Sequence, residues 1–258
     1  LQLVIPLVVV NNFWIEKSAE TTQTLLHSLV ITAICFMISI AISYLIFHKK
    51  DGVSTFSASF SNAGFIGIPL VSATLGSHAV IYISMMIVFV NFLQWTIGVW
   101  MLTGDKTNMS AKKILGSPIL YAVGFGLLVY GLSIPKPAMV NNILTTITAM
   151  NTPLAMIVSG VYLAQSDLVA MFKNRNTYFV CFVRLVVIPL FKFLPFGSLE
   201  LKTAILITAA CPVGSNVAVF AQAYDKDYHS AVEHVCLSTV LCLVTVPLIV
   251  LFMSVVIH

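Results

Sequence analysis

Apolar residues run through this chain in blocks of about twenty, set apart by short polar punctuation, instead of in the stripes or alternations of a water-facing fold. The blocks fall near residues 1–13, 24–47, 55–76, 80–102, 114–132, 140–164, 178–194, 201–224 and 230–257. Most have the roughly 17 to 25 residues that cross a bilayer as a helix. The alternating ten-residue segments of an outer-membrane barrel are missing. The pattern predicts an all-α polytopic membrane protein with nine helices in this sequence.

Two of the blocks carry residues that a membrane helix tolerates poorly. The third contains Ser61-Asn62-Ala63-Gly64-Phe65-Ile66-Gly67-Ile68-Pro69, and the eighth contains Cys211-Pro212-Val213-Gly214-Ser215-Asn216. Proline removes a backbone donor and glycine loosens the chain, so both helices are expected to break where no water can satisfy the freed groups. Matched breaks in corresponding positions of two halves point to the substrate site of a secondary transporter. The broken spans are five helices apart and so cross the membrane in opposite senses, as an inverted repeat requires. In the second half the broken helix is fourth of five. One further helix is therefore expected before Leu1, giving a ten-helix, five-plus-five protein; a complete nine-helix protein is the alternative.

Composition sharpens the class. Hydrophobic residues make up 59% of the 258 and charged residues only 9%, with a mean hydropathy of +1.01. A soluble domain carries roughly 25% charged residues. The net charge of +4 needs no nucleic-acid partner, because loop topology accounts for it. Sorting the loops alternately puts Lys49, Lys50, Lys106, Lys112, Lys113, Lys173, Arg175 and Lys226 on one side. Lys17 and Lys136, with Lys192 and Lys202 at span edges, fall on the other. The positive-inside rule makes the first side cytoplasmic and places the carboxy-terminal end outside a cell membrane.

The five cysteines (Cys35, Cys181, Cys211, Cys236, Cys242) lie in apolar segments without C-x-x-C or Cys/His spacing, which fits packing better than zinc or disulfides. No H-E-x-x-H, P-loop or G-x-S-x-G occurs, and no lysine stands in mid-span to form a Schiff base. No enzyme, cofactor or metal is expected.

At a break, the amides at a half-helix N-terminus carry partial positive charge, so the expected guest is a small organic anion. Asn62 and Asn216 can donate to a carboxylate, with Ser61 and Ser215 beside them. The plainer alternative is that Pro69 and Pro212 only kink their helices and the asparagines join neighbouring helices. Asn91, Gln94, Thr152 and Gln222 read as interhelical hydrogen-bonding groups. Asn151, next to Pro153, is kept as a site-lining candidate. Arg184 is expected to snorkel to the cytoplasmic headgroups. Glu233 is expected to face the cytoplasmic loop from a helix start, with a proton relay or salt bridge at Arg184, Glu233 or His234 as the alternative. His27 reads as interfacial, and Trp14, Trp95 and Trp100 as membrane anchors or packing residues.

Residues 61–70, with N-A-G-F-I-G-I-P-L, and residues 210–224, A-C-P-V-G-S-N-V-A-V-F-A-Q-A-Y, resemble the auxin efflux carrier family in its bacterial branch, which includes malate permeases. Leu237-Ser238-Thr239 and Val246-Pro247-Leu248 are similar to that family's last helix. The resemblance implies ten helices in two inverted repeats with the fourth and ninth broken and crossing. Bile-acid/sodium symporters and cation/proton carriers have a similar architecture. It also implies scaffold parts at residues 1–21 and 114–170, transport parts at 22–103 and 171–258, elevator-type movement and a homodimer. Asn62, Gly64, Gly67, Pro69, Pro212, Gly214, Ser215 and Asn216 match the family's crossing-point residues. The second patch is written differently in the plant carriers, so auxin itself is not implied. The expected function is a permease for a small organic anion, a carboxylate such as malate. A sodium- or proton-coupled carrier of another solute, or a membrane receptor or scaffold that moves nothing, are the alternatives.

Overall fold

The computed structural model describes residues 4–47, 51–105, 116, 118–165, 168–191 and 198–256. It opens with α1 (Val4–Phe13) and α2 (Ala19–Phe47). The third span is α3 (Gly52–Ser59), a π-helical segment (Ala63–Gly67) and α4 (Ile68–Leu75). The fourth is α5 (Val80–Leu93), a second π segment (Gln94–Gly98) and α6 (Val99–Thr103). There follow α7 (Pro118–Gly131), α8 (Ala138–Ala149) and α9 (Asn151–Gln165). The short helix α10 (Leu168–Lys173) leads into α11 (Arg175–Phe182), a third π segment (Val183–Val187) and α12 (Ile188–Phe191). The eighth span is α13 (Leu199–Ala210) and α14 (Asn216–Ala223), and α15 (Tyr228–Val256) closes the fold.

Each of the nine expected spans coincides with a helical run, and no strand occurs among the described residues. Among the described residues, four runs are long and apolar enough to cross a bilayer uninterrupted: Ala19–Phe47, Val80–Thr103, Ala138–Ala164 and Tyr228–Phe252. The helix α10 was not expected from the hydropathy pattern. Lys49, Lys50, Lys106, Lys112, Lys113 and Lys192 lie outside the described residues.

Two packed regions position the breaks. In one, Phe36 of α2, Phe56 of α3, Met86 and Val90 of α5, Val217 of α14 and Val235 of α15 are buried together. The Phe36, Phe56 and Phe60 rings meet beneath the first break, and Phe56 and Trp95 both pack on Phe220. In the other, α1 lies along α7 and is joined to α5 and α13 through Val9, Phe13, Ile83, Ala122 and Ile207. Gly126 lets α7 come this close, since a Cβ there would stand 2.9 Å from the Phe13 Cβ. By contrast, α8 and α9 are little covered: only 6% of their most apolar window is buried, against 33–50% in the other long spans, so their apolar surface faces outward.

Asp227 caps the last helix. Its carboxylate accepts from the Ser230 amide (3.0 Å) and hydroxyl (2.6 Å). Burial pushes this carboxyl up, but the Ser230 bonds and the nearby His229 outweigh it and hold it below the usual aspartate range. A depressed carboxyl contributes stability above its unfolded value of about 3.9 and loses it as pH falls through the folded value. Asp227→Ala should therefore cost about 1 kcal/mol at neutral pH and nothing in strong acid, read from thermal midpoints of purified protein at the two pH values.

Candidate functional site at the crossed helix breaks

The two breaks meet. Helix α3 ends at Ser59, and Phe60 turns to extended geometry (φ −114°, ψ 119°). Helix α13 ends at Ala210, and Cys211 also leaves the helix (ψ 150°). The freed segments pair through one antiparallel bridge between Ser61 and Val213. The Asn62 amide donates to the Pro212 carbonyl (2.9 Å), and the Gly214 amide donates to the Phe60 carbonyl (3.0 Å). The Val213 amide donates to Ser238 Oγ of α15 (3.0 Å). Backbone groups that water cannot reach are thus satisfied by the opposite break or by a neighbouring helix, as the membrane demands.

The carbonyls at the C-terminal ends of the half-helices have a different partner. Arg184 is fully buried. Its Nη1 donates to the carbonyls of Ala58 (3.0 Å) and Ser59 (3.3 Å), its Nε to Cys211 (3.3 Å), and its Nη2 to Ala209. The snorkelling expected of this arginine is therefore incorrect. The third π segment inserts an extra residue into the turn, which changes the direction in which the arginine leaves the helix. Desolvating a guanidinium costs several kcal/mol. Charge-assisted bonds of about 1.5–3 kcal/mol each, with the negative ends of two helices, offset it.

The opposite sides of the same breaks line a small cavity formed by Ser61, Asn62, Gly64, Phe65, Val90, Asn91, Gln94, Gly214, Ser215 and Asn216. It has about 20 Å³ of space, enough for one water. The N-terminal end of the first π segment and that of α14 abut it, so the partial positive charge of two half-helix starts lies beside it. Asn216 Nδ2 donates to Gln94 Oε1 (3.0 Å), and Asn91 Nδ2 folds back on the Ile87 carbonyl (2.7 Å). The Ser61 hydroxyl is buried without a partner among the described atoms.

Of the ten residues singled out in the sequence, Ser61, Asn62, Gly64, Gly214, Ser215 and Asn216 line the cavity. Asn151 is buried next to it, donating from Nδ2 to the Gly64 carbonyl (3.0 Å), while its Oδ1 has no partner among the described residues. The remaining three are not lining residues. Pro212 contributes its carbonyl to the bridge. Gly67 faces α13, where an added Cβ would fall 2.8 Å from Thr208 Cγ2. Pro69 lies inside the continuous helical run Ala63–Leu75, just past the π segment, so the chain opens at 60–62 and not at this proline.

Gln94 both makes the expected interhelical bond and lines the cavity. It stands at the start of the second π segment, for which the apolar pattern carries no signal. Glu233 accepts from Asn174 Nδ2 (2.7 Å), in the short loop between α10 and α11, and from Thr177 Oγ1 (2.9 Å), which ties α15 to the start of α11. His234 Nδ1 lies 3.0 Å from Ser57 Oγ, both buried. His27 is exposed.

The family model described as "Membrane transport protein" matches residues 1–250. No curated protein matches the chain.

Proposed function

Because the chain belongs to the membrane transport protein family, that of the auxin efflux carriers, we propose that this multi-pass membrane protein is a permease for a small organic anion. The cargo is a carboxylate such as malate, held where the two breaks cross. One observation carries this reading: the N-terminal ends of two half-helices, with Asn62 and Asn216, converge on one cavity that contains no charged side chain. Neutral donors and helix dipoles hold an anion and still release it. A cavity with space for one water is too small for a carboxylate, so loading requires one part of the molecule to move against the other, which supports alternating access of the elevator type. The open apolar surface of α8 and α9 supports a homodimer formed through these helices. The lysine sorting supports cytoplasmic loops at Lys49, Lys112 and Lys173 and an external carboxy-terminal end.

The test is uptake of labelled malate and related carboxylates by proteoliposomes. Asn62→Ala and Asn216→Ala should each lower uptake about tenfold, since each removes a donor to a charged group. Unchanged uptake in both variants would remove the site assignment. Running the same flux in sodium, potassium and imposed pH gradients separates a uniporter from a coupled carrier.

A further inference from the structure

We propose that Arg184 is the positioning residue that keeps the two breaks crossed, a clamp on the carbonyl side that holds the amide side in register for the cargo. Its functional consequence rests on the carrier reading above. The C-terminal ends of α3 and α13 both carry partial negative charge and unpaired carbonyls, and the crossing brings them together. Left alone, they repel and expose polar backbone in a place without water. One planar guanidinium answers both ends at once, through Ala58 and Ser59 on one side and Ala209 and Cys211 on the other. The group comes from a third helical run, so it ties three segments at a single point. Arg184 does not line the cavity, which is bounded by Ser61, Asn62, Gly214 and Ser215 on the far side of the Ser61–Val213 bridge. It therefore acts through the geometry of the breaks and not by touching cargo. Lysine cannot substitute, because an ammonium is a point charge without the fork that spans two helix ends.

The crossing can be read without transport. Ser61 and Val213 are directly opposed in the bridge, at a spacing a disulfide can span. In a background with the five native cysteines replaced, S61C with V213C should cross-link readily, and both R184K and R184Q should reduce the yield about tenfold. In R184A, added guanidinium ion should restore the cross-link. It should not do so in R184M, where the side chain fills the space. That difference separates clamping from mere packing. Parent-like cross-linking in R184K, or no restoration of R184A by guanidinium, overturns the proposal. R184K keeps charge and length and decides the matter if R184A or R184Q does not accumulate. In proteoliposomes, R184K should raise KM for the carboxylate more than it lowers kcat. A parent protein that takes up no carboxylate would overturn the carrier reading alone, while the cross-linking comparison still decides on Arg184.

Discussion

Gly214→Val is expected to lower carboxylate uptake by about 10- to 100-fold, while Gly214→Ala stays within a few-fold of the parent. A Cβ at Gly214 would stand 3.4 Å from the carbonyl oxygens of both Phe60 and Ser61 and 3.6 Å from Gln94 Nε2. Alanine just fits. Valine adds two methyl groups at a point enclosed by the bridge on one side and the cavity on the other. The cavity has about 20 Å³, so one methyl group removes it and displaces the Gln94 amide that Asn216 uses. The alternative rotamer presses on the Phe60 carbonyl and breaks its bond from the Gly214 amide. Both routes damage the site and leave the packed regions around Phe36 and Val9 untouched, so the variant should insert and purify normally. The measurement is initial uptake per reconstituted protein for parent, alanine and valine forms. Equal uptake in all three would show that cargo does not pass the crossing.

How much of this site was legible beforehand depended on whether the signal was local. Pro212, Gly214 and Asn216 stand within a few residues of the point where α13 stops, because proline and glycine disrupt a helix through their own backbones. Pro69 misled for a related reason. A proline removes one backbone donor but need not end a helix, and the run that resumes at Ala63 continues through Pro69 just past a π segment. That the two breaks would touch was an inference from matched position, and the bond between Asn62 and Pro212 is a tertiary fact no local pattern contains.

Arg184 and Gln94 escaped for one shared cause. Each sits in a π segment, where an inserted residue shifts which face of the helix a side chain joins. Apolar runs report depth in the membrane and say nothing of rotation about the helix axis. Snorkelling and burial were therefore equally compatible with the letters around Arg184, and only the carbonyl ends of two distant half-helices distinguish them.

The largest effect on folding is expected at Gly52, which begins α3 where it crosses α6. A Cβ there would lie 2.5 Å from the Leu102 carbonyl oxygen and 2.8 Å from that of Met101. Backbone atoms of a packed helix cannot rotate away as a side chain would, so α3 and α6 must separate. The strain spreads to Asp51, whose carboxylate accepts from the amides of Val53 and Ser54 and fixes the start of α3. Overpacking of this kind costs about 1–3 kcal/mol, and losing the cap adds about 1 kcal/mol. Gly52→Ala should therefore lower the thermal midpoint of the purified protein sharply and reduce the folded fraction seen by size-exclusion chromatography. Gly124→Ala is the matched control, because no atom of the described residues lies within 4 Å of its added Cβ in the middle of α7. Alanine is preferred over glycine inside a helix by roughly 0.5–1 kcal/mol, so that variant should be as stable as the parent or more so. If both substitutions gave the same midpoint, the close approach of α3 to α6 would be wrong. The first break would then lose the fixed point from which α3 delivers Ala58 and Ser59 to the crossing.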